Sequence, residues 1–221
     1  PEAIPGQDGM PRGIQNDVVI LPMNDLESME LILREHKDDL AAVFHDGRPG
    51  WYEAPEEHTK FLRKLTAELG IYLVFDEVVS FRVGYSGYQG LVGVEPDLTI
   101  FGKIVGGGLP GGALGGKSEL MDVLDNTEEQ TGLNQSGTFA GNHFTLSAGL
   151  ATLRALTPEV YSHLETLGQH LQKGLLGVFD RVGINGHVVR SGSTVTAYFT
   201  DRPVRSWRDT LTADTQAFER L

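Results

Sequence analysis

The chain has 221 residues, 40% of them hydrophobic, no cysteine, and a formal net charge of -12 from 18 Lys and Arg against 30 Asp and Glu. Such a length buries a substantial core in one large domain or two modest ones. The acidic balance argues against a polyanion-binding surface, so nucleic acid is not an expected partner. Disulfides, thiolate metal sites and cysteine nucleophiles are excluded outright. No apolar run approaches bilayer-spanning length, so no membrane association is expected and a cytoplasmic location is. The first residues lack a basic-then-apolar leader and an initiator methionine, as at an interior point of a longer protein.

Residues 1 to 16 are rich in Gly and Pro and read as an extended loop. Val18 to Leu21, closed by Pro22, is compatible with a buried strand. Asn24 or Asp25 can cap a helix to about Lys37, with Leu26, Met29, Leu31, Ile32 and Leu33 as its apolar side. Leu40 to Phe44 is the next strand candidate. Pro55 to Leu69 carries helical signals: Pro near its start, acidic residues in its first turn, and Phe61, Leu62, Leu65 and Leu69 at helical spacing before Gly70. Ile71 to Phe75 then reads as a strand buried on both faces, with Asp76 and Glu77 at its carboxyl end. Strand, helix, strand alternation at this spacing implies parallel pairing.

Pro96 to Phe101 reads as a further strand leading straight into Lys103. Ser118 can cap a short helix from Glu119 to Leu124. Residues 125 to 142 form a long polar loop of the kind that often carries function. Helices are expected from His143 to about Leu156, with Leu146, Leu150 and Leu153 on one side, and from Pro158 to about Phe179. Val188-Val189 and Thr194 to Phe199 read as strands of a smaller domain, and Asp214 to Leu221 begins a helix. The expected division is residues 1 to 180 and 181 to 221.

Lys103 heads the run Phe101-Gly-Lys-Ile-Val-Gly-Gly-Gly-Leu-Pro-Gly-Gly-Ala-Leu-Gly-Gly116. A glycine-rich frame around a strongly hydrated lysine suggests close approach of backbone and ligand. A Walker A loop is excluded, because Asp97 stands where its first glycine belongs and Ile104 follows the lysine. Ligands of parallel sheets sit beyond the carboxyl ends of the strands, where both Asp76 and Lys103 fall. A lysine that holds an aldehyde and a carboxylate that keeps a pyridine nitrogen protonated are what pyridoxal phosphate requires. Taken on spacing alone, a turn-capping aspartate and an unrelated surface lysine account for the same pair.

Four blocks narrow the choice: Asp76-Glu-Val-Val-Ser-Phe-Arg82, Pro96-Asp-Leu-Thr99, the Lys103 run, and Gly137-Thr-Phe-Ala-Gly-Asn142. In order and spacing they resemble the signature segments of class III pyridoxal-phosphate aminotransferases, nearest to glutamate-1-semialdehyde 2,1-aminomutase-like members. The resemblance implies an α/β fold of aminotransferase fold type I, with a mainly parallel sheet flanked by helices and the start of a small α+β domain. It implies amino-group transfer between small amino and keto substrates. By it, Lys103 is the Schiff-base and proton-transferring lysine, Asp76 the partner of the pyridine nitrogen, and Val78 the side chain against one ring face. Thr138 is the donor to the cofactor phosphate, reaching it across the interface of a homodimer with shared active sites.

The same cofactor and the same two residues also serve decarboxylation and racemisation. A non-catalytic chain that needs its missing half is a further alternative, since the family's upstream phosphate loop and second ring-covering aromatic have no counterpart before Asp76. Glu77 and Arg82 suit a structural ion pair. His45-Asp46 stands where many members have Glu-Pro, and Asn142 is followed by His143 rather than Pro. No metal site is expected, since His45 has no second ligand at suitable spacing.

Overall fold

Three parallel strands and the helices between them follow from the apolar spacing of the chain, and a fourth strand joins their edge. The computed structural model describes residues 11–53, 56–125, 133 and 135–219. In chain order the elements are helix α1 (Arg12–Asn16), α2 (Leu26–Glu35), strand β1 (Ala42–His45), α3 (Glu56–Leu69), β2 (Tyr72–Asp76), α4 (Gly87–Val92), β3 (Leu98–Phe101) and β4 (Ala113–Gly116). There follow α5 (Ser118–Met121), α6 (His143–Ala155), α7 (Pro158–Val182), β5 (His187–Ser191), β6 (Thr194–Tyr198), α8 (Trp207–Thr210) and α9 (Thr215–Glu219).

The main sheet runs β1-β2-β3-β4, with β1, β2 and β3 parallel and β4 antiparallel to β3. Parallel neighbours require crossovers, and α3 supplies the one between β1 and β2. Alternation along β2 sends Leu73 and Phe75 to one face, where they join Met29 and Leu33 of α2, Leu62 and Leu65 of α3, and Val92 of α4 in one buried cluster. Each such side chain contributes roughly 1.5–3 kcal/mol by leaving water. Strands β5 and β6 form a separate antiparallel pair against α7, with Val189, Tyr52 and Val204 as a second buried cluster.

The expected α/β architecture of fold type I is present, and several local expectations are corrected. Val18 to Leu21 forms no strand; Val18 and Ile20 are exposed, and Pro22 has no N–H to give a ladder. Residues 12–16, read as loop, make a short helix. Helix α2 is capped as expected, the Ser28 N–H donating to Asp25 at 3.1 Å. Ser118 lies inside α5 rather than capping it; Lys117 holds the cap position. The glycine run contains β4, where Gly116 passes so close to Asp97 and Leu98 that a Cβ would collide with their backbone. Tyr72 of β2 is exposed, so that strand is not buried on both faces throughout. Pro55, residues 126–132 and 134 of the long loop, and the last two residues lie outside the described set.

Candidate active site

Strands β2 and β3 lie side by side, and in parallel sheets that spacing is about 4.8 Å. Asp76 is in register with Ile100, and the Glu77 N–H donates to the Ile100 carbonyl at 2.9 Å, carrying the ladder one step past the strand end. The chain then turns: one Asp76 carboxylate oxygen accepts the Val78 N–H at 3.0 Å. The other takes no hydrogen bond from the described residues. Val78 lies over Gly102, where a Cβ would stand 3.1 Å from Val78 Cγ1. Asp76 and Val78 on one side and Gly102 and Lys103 on the other therefore lie at the carboxyl ends of two adjacent strands.

Lys103 is exposed and opens a short 3-10 turn, Lys103–Gly106. Its φ of 48° is in the left-handed region, where a side chain costs about 1–2 kcal/mol. Strain of this kind persists only where surroundings enforce it. Among the described residues its ammonium has no ion-pair partner, so the amine is open to a ligand.

The turn after Asp76 is held by a residue that sequence reasoning assigned differently. Glu77 is fully buried and is not paired with Arg82, which is exposed. Its carboxylate accepts from Ser80 Oγ at 3.0 Å, the Tyr88 N–H at 2.8 Å, the Gln89 N–H at 3.0 Å and Gln89 Nε2 at 3.2 Å. Four donors replace the water lost on burial. Three of them come from Tyr88 and Gln89, 11 and 12 residues on, which no local motif marks as partners.

His45, at the end of β1, is buried beside Phe75 and Tyr88. Its Nε2 lies 3.3 Å from Thr59 Oγ1, itself 3.0 Å from Tyr88 Oη. Burial first, and then the neighbouring His58 imidazole, push its pKa down to about 3. The ring is neutral at ordinary pH. Among the described residues no group of three or more His, Asp or Glu could hold a metal ion.

The opposite end of the sheet carries a different carboxylate. Asp97 is buried and accepts from the Leu73 N–H at 2.7 Å, Arg63 Nη1 at 2.8 Å and Lys117 Nζ at 2.6 Å. Desolvation pushes its pKa up, but these donors and the Arg63 charge outweigh it and hold the carboxyl at about 2. This cluster clasps the amino ends of β2 and β3, away from Lys103.

Thr138 sits on an exposed turn that leads into α6, whose N-terminus is capped by Asn142 accepting from the N–H groups of Phe144 and Thr145 at 3.0 and 3.2 Å. Among the described residues no hydrogen bond joins Thr138 to Asp76, Val78 or Lys103. Three of the four expected site residues, Asp76, Val78 and Lys103, thus lie at or just after the ends of adjacent strands β2 and β3.

Residues 5–215 match the family described as aminotransferase class-III. The chain belongs to that family. It is 40% identical over 220 residues to a glutamate-1-semialdehyde 2,1-aminomutase of Heliobacterium modesticaldum, covering 97% of this chain and 50% of that protein. Among solved structures it resembles an omega-transaminase from Sphaerobacter thermophilus, with a TM-score of 0.91 and 41% identity over 95% of this chain and 49% of that one. It also resembles a transaminase with PLP bound, with a TM-score of 0.86 and 33% identity over 93% and 50% of the two chains. The chain spans about half the length of these relatives. The residues expected to form the site fit pyridoxal phosphate: an exposed amine on Lys103, a carboxylate oxygen of Asp76 without a partner among the described residues, and an apolar side chain at Val78 packed against Gly102. No described helix is long and apolar enough to cross a membrane.

Proposed function

We propose that this chain carries the lysine-bearing part of a pyridoxal-phosphate enzyme that transfers an amino group, by transamination or by an intramolecular shift. The observation that carries this reading is the position of Asp76 and Lys103 at adjacent strand ends, with Val78 packed against Gly102. Bound pyridoxal phosphate supplies an aldehyde that condenses with amines and a ring that accepts electrons. Lys103 would hold that aldehyde through its amine and would move a proton at the substrate α carbon. Asp76 holds the proton on the ring nitrogen, and Val78 packs on the ring. The substrate is a small amino or keto compound; residues 1 to 180 are the C-terminal part of the large cofactor-binding domain, and residues 181 to 221 begin the small C-terminal one.

Thr138 is proposed to donate to the phosphate of a neighbouring subunit in a homodimer. Support comes from the exposed apolar side chains on its turn and on α6: Phe139 and Phe144 are each 80% exposed and Leu146 59%. Large apolar side chains exposed along one stretch of chain suit an interaction face. The same surface, together with Phe44 on β1 at 69%, favours a second reading, that the 221 residues by themselves do not turn over.

Borohydride reduction in the presence of pyridoxal phosphate, followed by peptide mapping, tests the assignment. The label is expected on Lys103; a label on Lys60, Lys64 or Lys117 instead would remove it. Sedimentation with detection of the bound cofactor, repeated for Thr138→Ala, tests the interface. Retention by a monomer, unchanged in the variant, would remove the role of Thr138.

A further inference from the structure

The glycines after Lys103 are pressed against helix α6. A Cβ on Gly149 would run into the Val105 carbonyl, and one on Gly107 into the Ala148 carbonyl group and, at 2.7 Å, the Gly149 N. Gly107 also has a φ of +60°, so two constraints act there. One helical turn earlier, Thr145 reaches into the same loop. Its hydroxyl donates to the Pro110 carbonyl at 3.0 Å, and its methyl group lies where a Cβ on Gly111 would come within 2.6 Å. The segment from Lys103 to Gly111 is therefore wrapped on the first two turns of α6, backbone against backbone at one point and side chain into loop at another.

We propose that α6 is the seat that fixes Lys103, with Thr145 and Gly149 as positioning residues. Residue 103 holds a left-handed backbone that an isolated lysine avoids, and the residues that follow it directly are those locked to the helix. Without the seat, the turn relaxes and the amine loses its fixed direction. Because Asn142 caps the same helix, the turn bearing Thr138 and the turn bearing Lys103 are attached to one rigid element. Close backbone packing transmits displacement instead of absorbing it, so a shift of α6 moves both.

The proposal rests on the reading of Lys103 as the cofactor lysine, and the test separates the two. Thr145→Val keeps the side-chain shape and removes the donor; Thr145→Ser keeps the donor; Gly149→Ala lifts the helix from the turn. Each is treated with pyridoxal phosphate and borohydride, and the label on Lys103 is compared with that on Lys60 and Lys64 of the same chain. The ratio is expected to fall at least threefold in Thr145→Val and Gly149→Ala and to return in Thr145→Ser. Amide hydrogen exchange of peptides covering 103–111 and 72–76 is measured without cofactor. Faster exchange confined to 103–111 in Thr145→Val and Gly149→Ala, together with the fallen label ratio, supports the seat; unchanged exchange there overturns it, wherever the label goes. A label that avoids Lys103 in the unsubstituted chain overturns the functional reading alone. A label on Lys103 whose share is the same in all variants overturns the seat alone.

Discussion

Val78 and Gly102 touch across the ends of two parallel strands, and the absence of a side chain at 102 is what admits the valine. An added Cβ would stand 3.1 Å from Cγ1 and 3.3 Å from Cγ2 of Val78. Val78 is β-branched and has little rotamer freedom with which to yield. Gly102→Ala is therefore expected to displace either Val78 or Lys103 and to reduce borohydride trapping at Lys103 several-fold, with little change in thermal unfolding. Gly102→Ala trapping at the unsubstituted level would show that the contact has slack.

The role of Asp76 is tested by charge. In the proposed reaction Asp76→Asn leaves the Lys103 amine untouched but cannot hold a proton on the ring nitrogen. Labelling of Lys103 is expected to persist while turnover in the complete protein falls by about 100-fold or more, a loss of about 3 kcal/mol of transition-state stabilisation. Full turnover would assign Asp76 to the Val78 turn only.

His45 predicts an acid limit on stability. Its ordinary value of 6.5 is depressed to about 3 by burial and by His58, so between those values the unfolded chain binds a proton that the folded chain refuses. Stability is fully present above about pH 6.5 and declines as pH falls toward 3. From pH 7 to pH 5 this one group removes about 2 kcal/mol. His58, also depressed by burial, acts in the same direction, while the other groups facing His45, Thr59 and Tyr88, stay neutral there. Urea denaturation at both pH values should show a smaller difference in His45→Gln. An equal difference would place the titration elsewhere.

Asp97 works over a lower window. Its carboxyl is held at about 2 against an ordinary 3.8, so its contribution is complete above about pH 4 and is lost as pH falls toward 2. The difference corresponds to about 2 kcal/mol. Asp97→Asn leaves Arg63 without its buried partner and is expected to lower unfolding free energy at pH 7 by at least that amount. A change below 0.5 kcal/mol, about the size of an ordinary surface substitution, would mean that the clasp is replaced by solvent.

Local periodicity determined much of this protein. The alternation of apolar runs with helical segments gave β1, α3, β2 and β3 within a few residues and put Asp76 and Lys103 at strand ends, because strand direction and side-chain alternation are properties of neighbouring residues. The signature blocks identified the family for the same reason. Only the tertiary structure decided features that depend on distant partners. Ala113 to Gly116 is a strand because β3 offers it an edge, whereas its composition suggests a loop. The apolar side of α6 is exposed in this chain although its spacing suggests burial, and the buried residue of that helix is Gly149. Gly107 and Gly111, in a run read from sequence as room for a ligand, make room for α6. A glycine in sequence says only that a side chain is absent; which atoms fill the space is set by packing between segments about 40 residues apart, which no local pattern encodes.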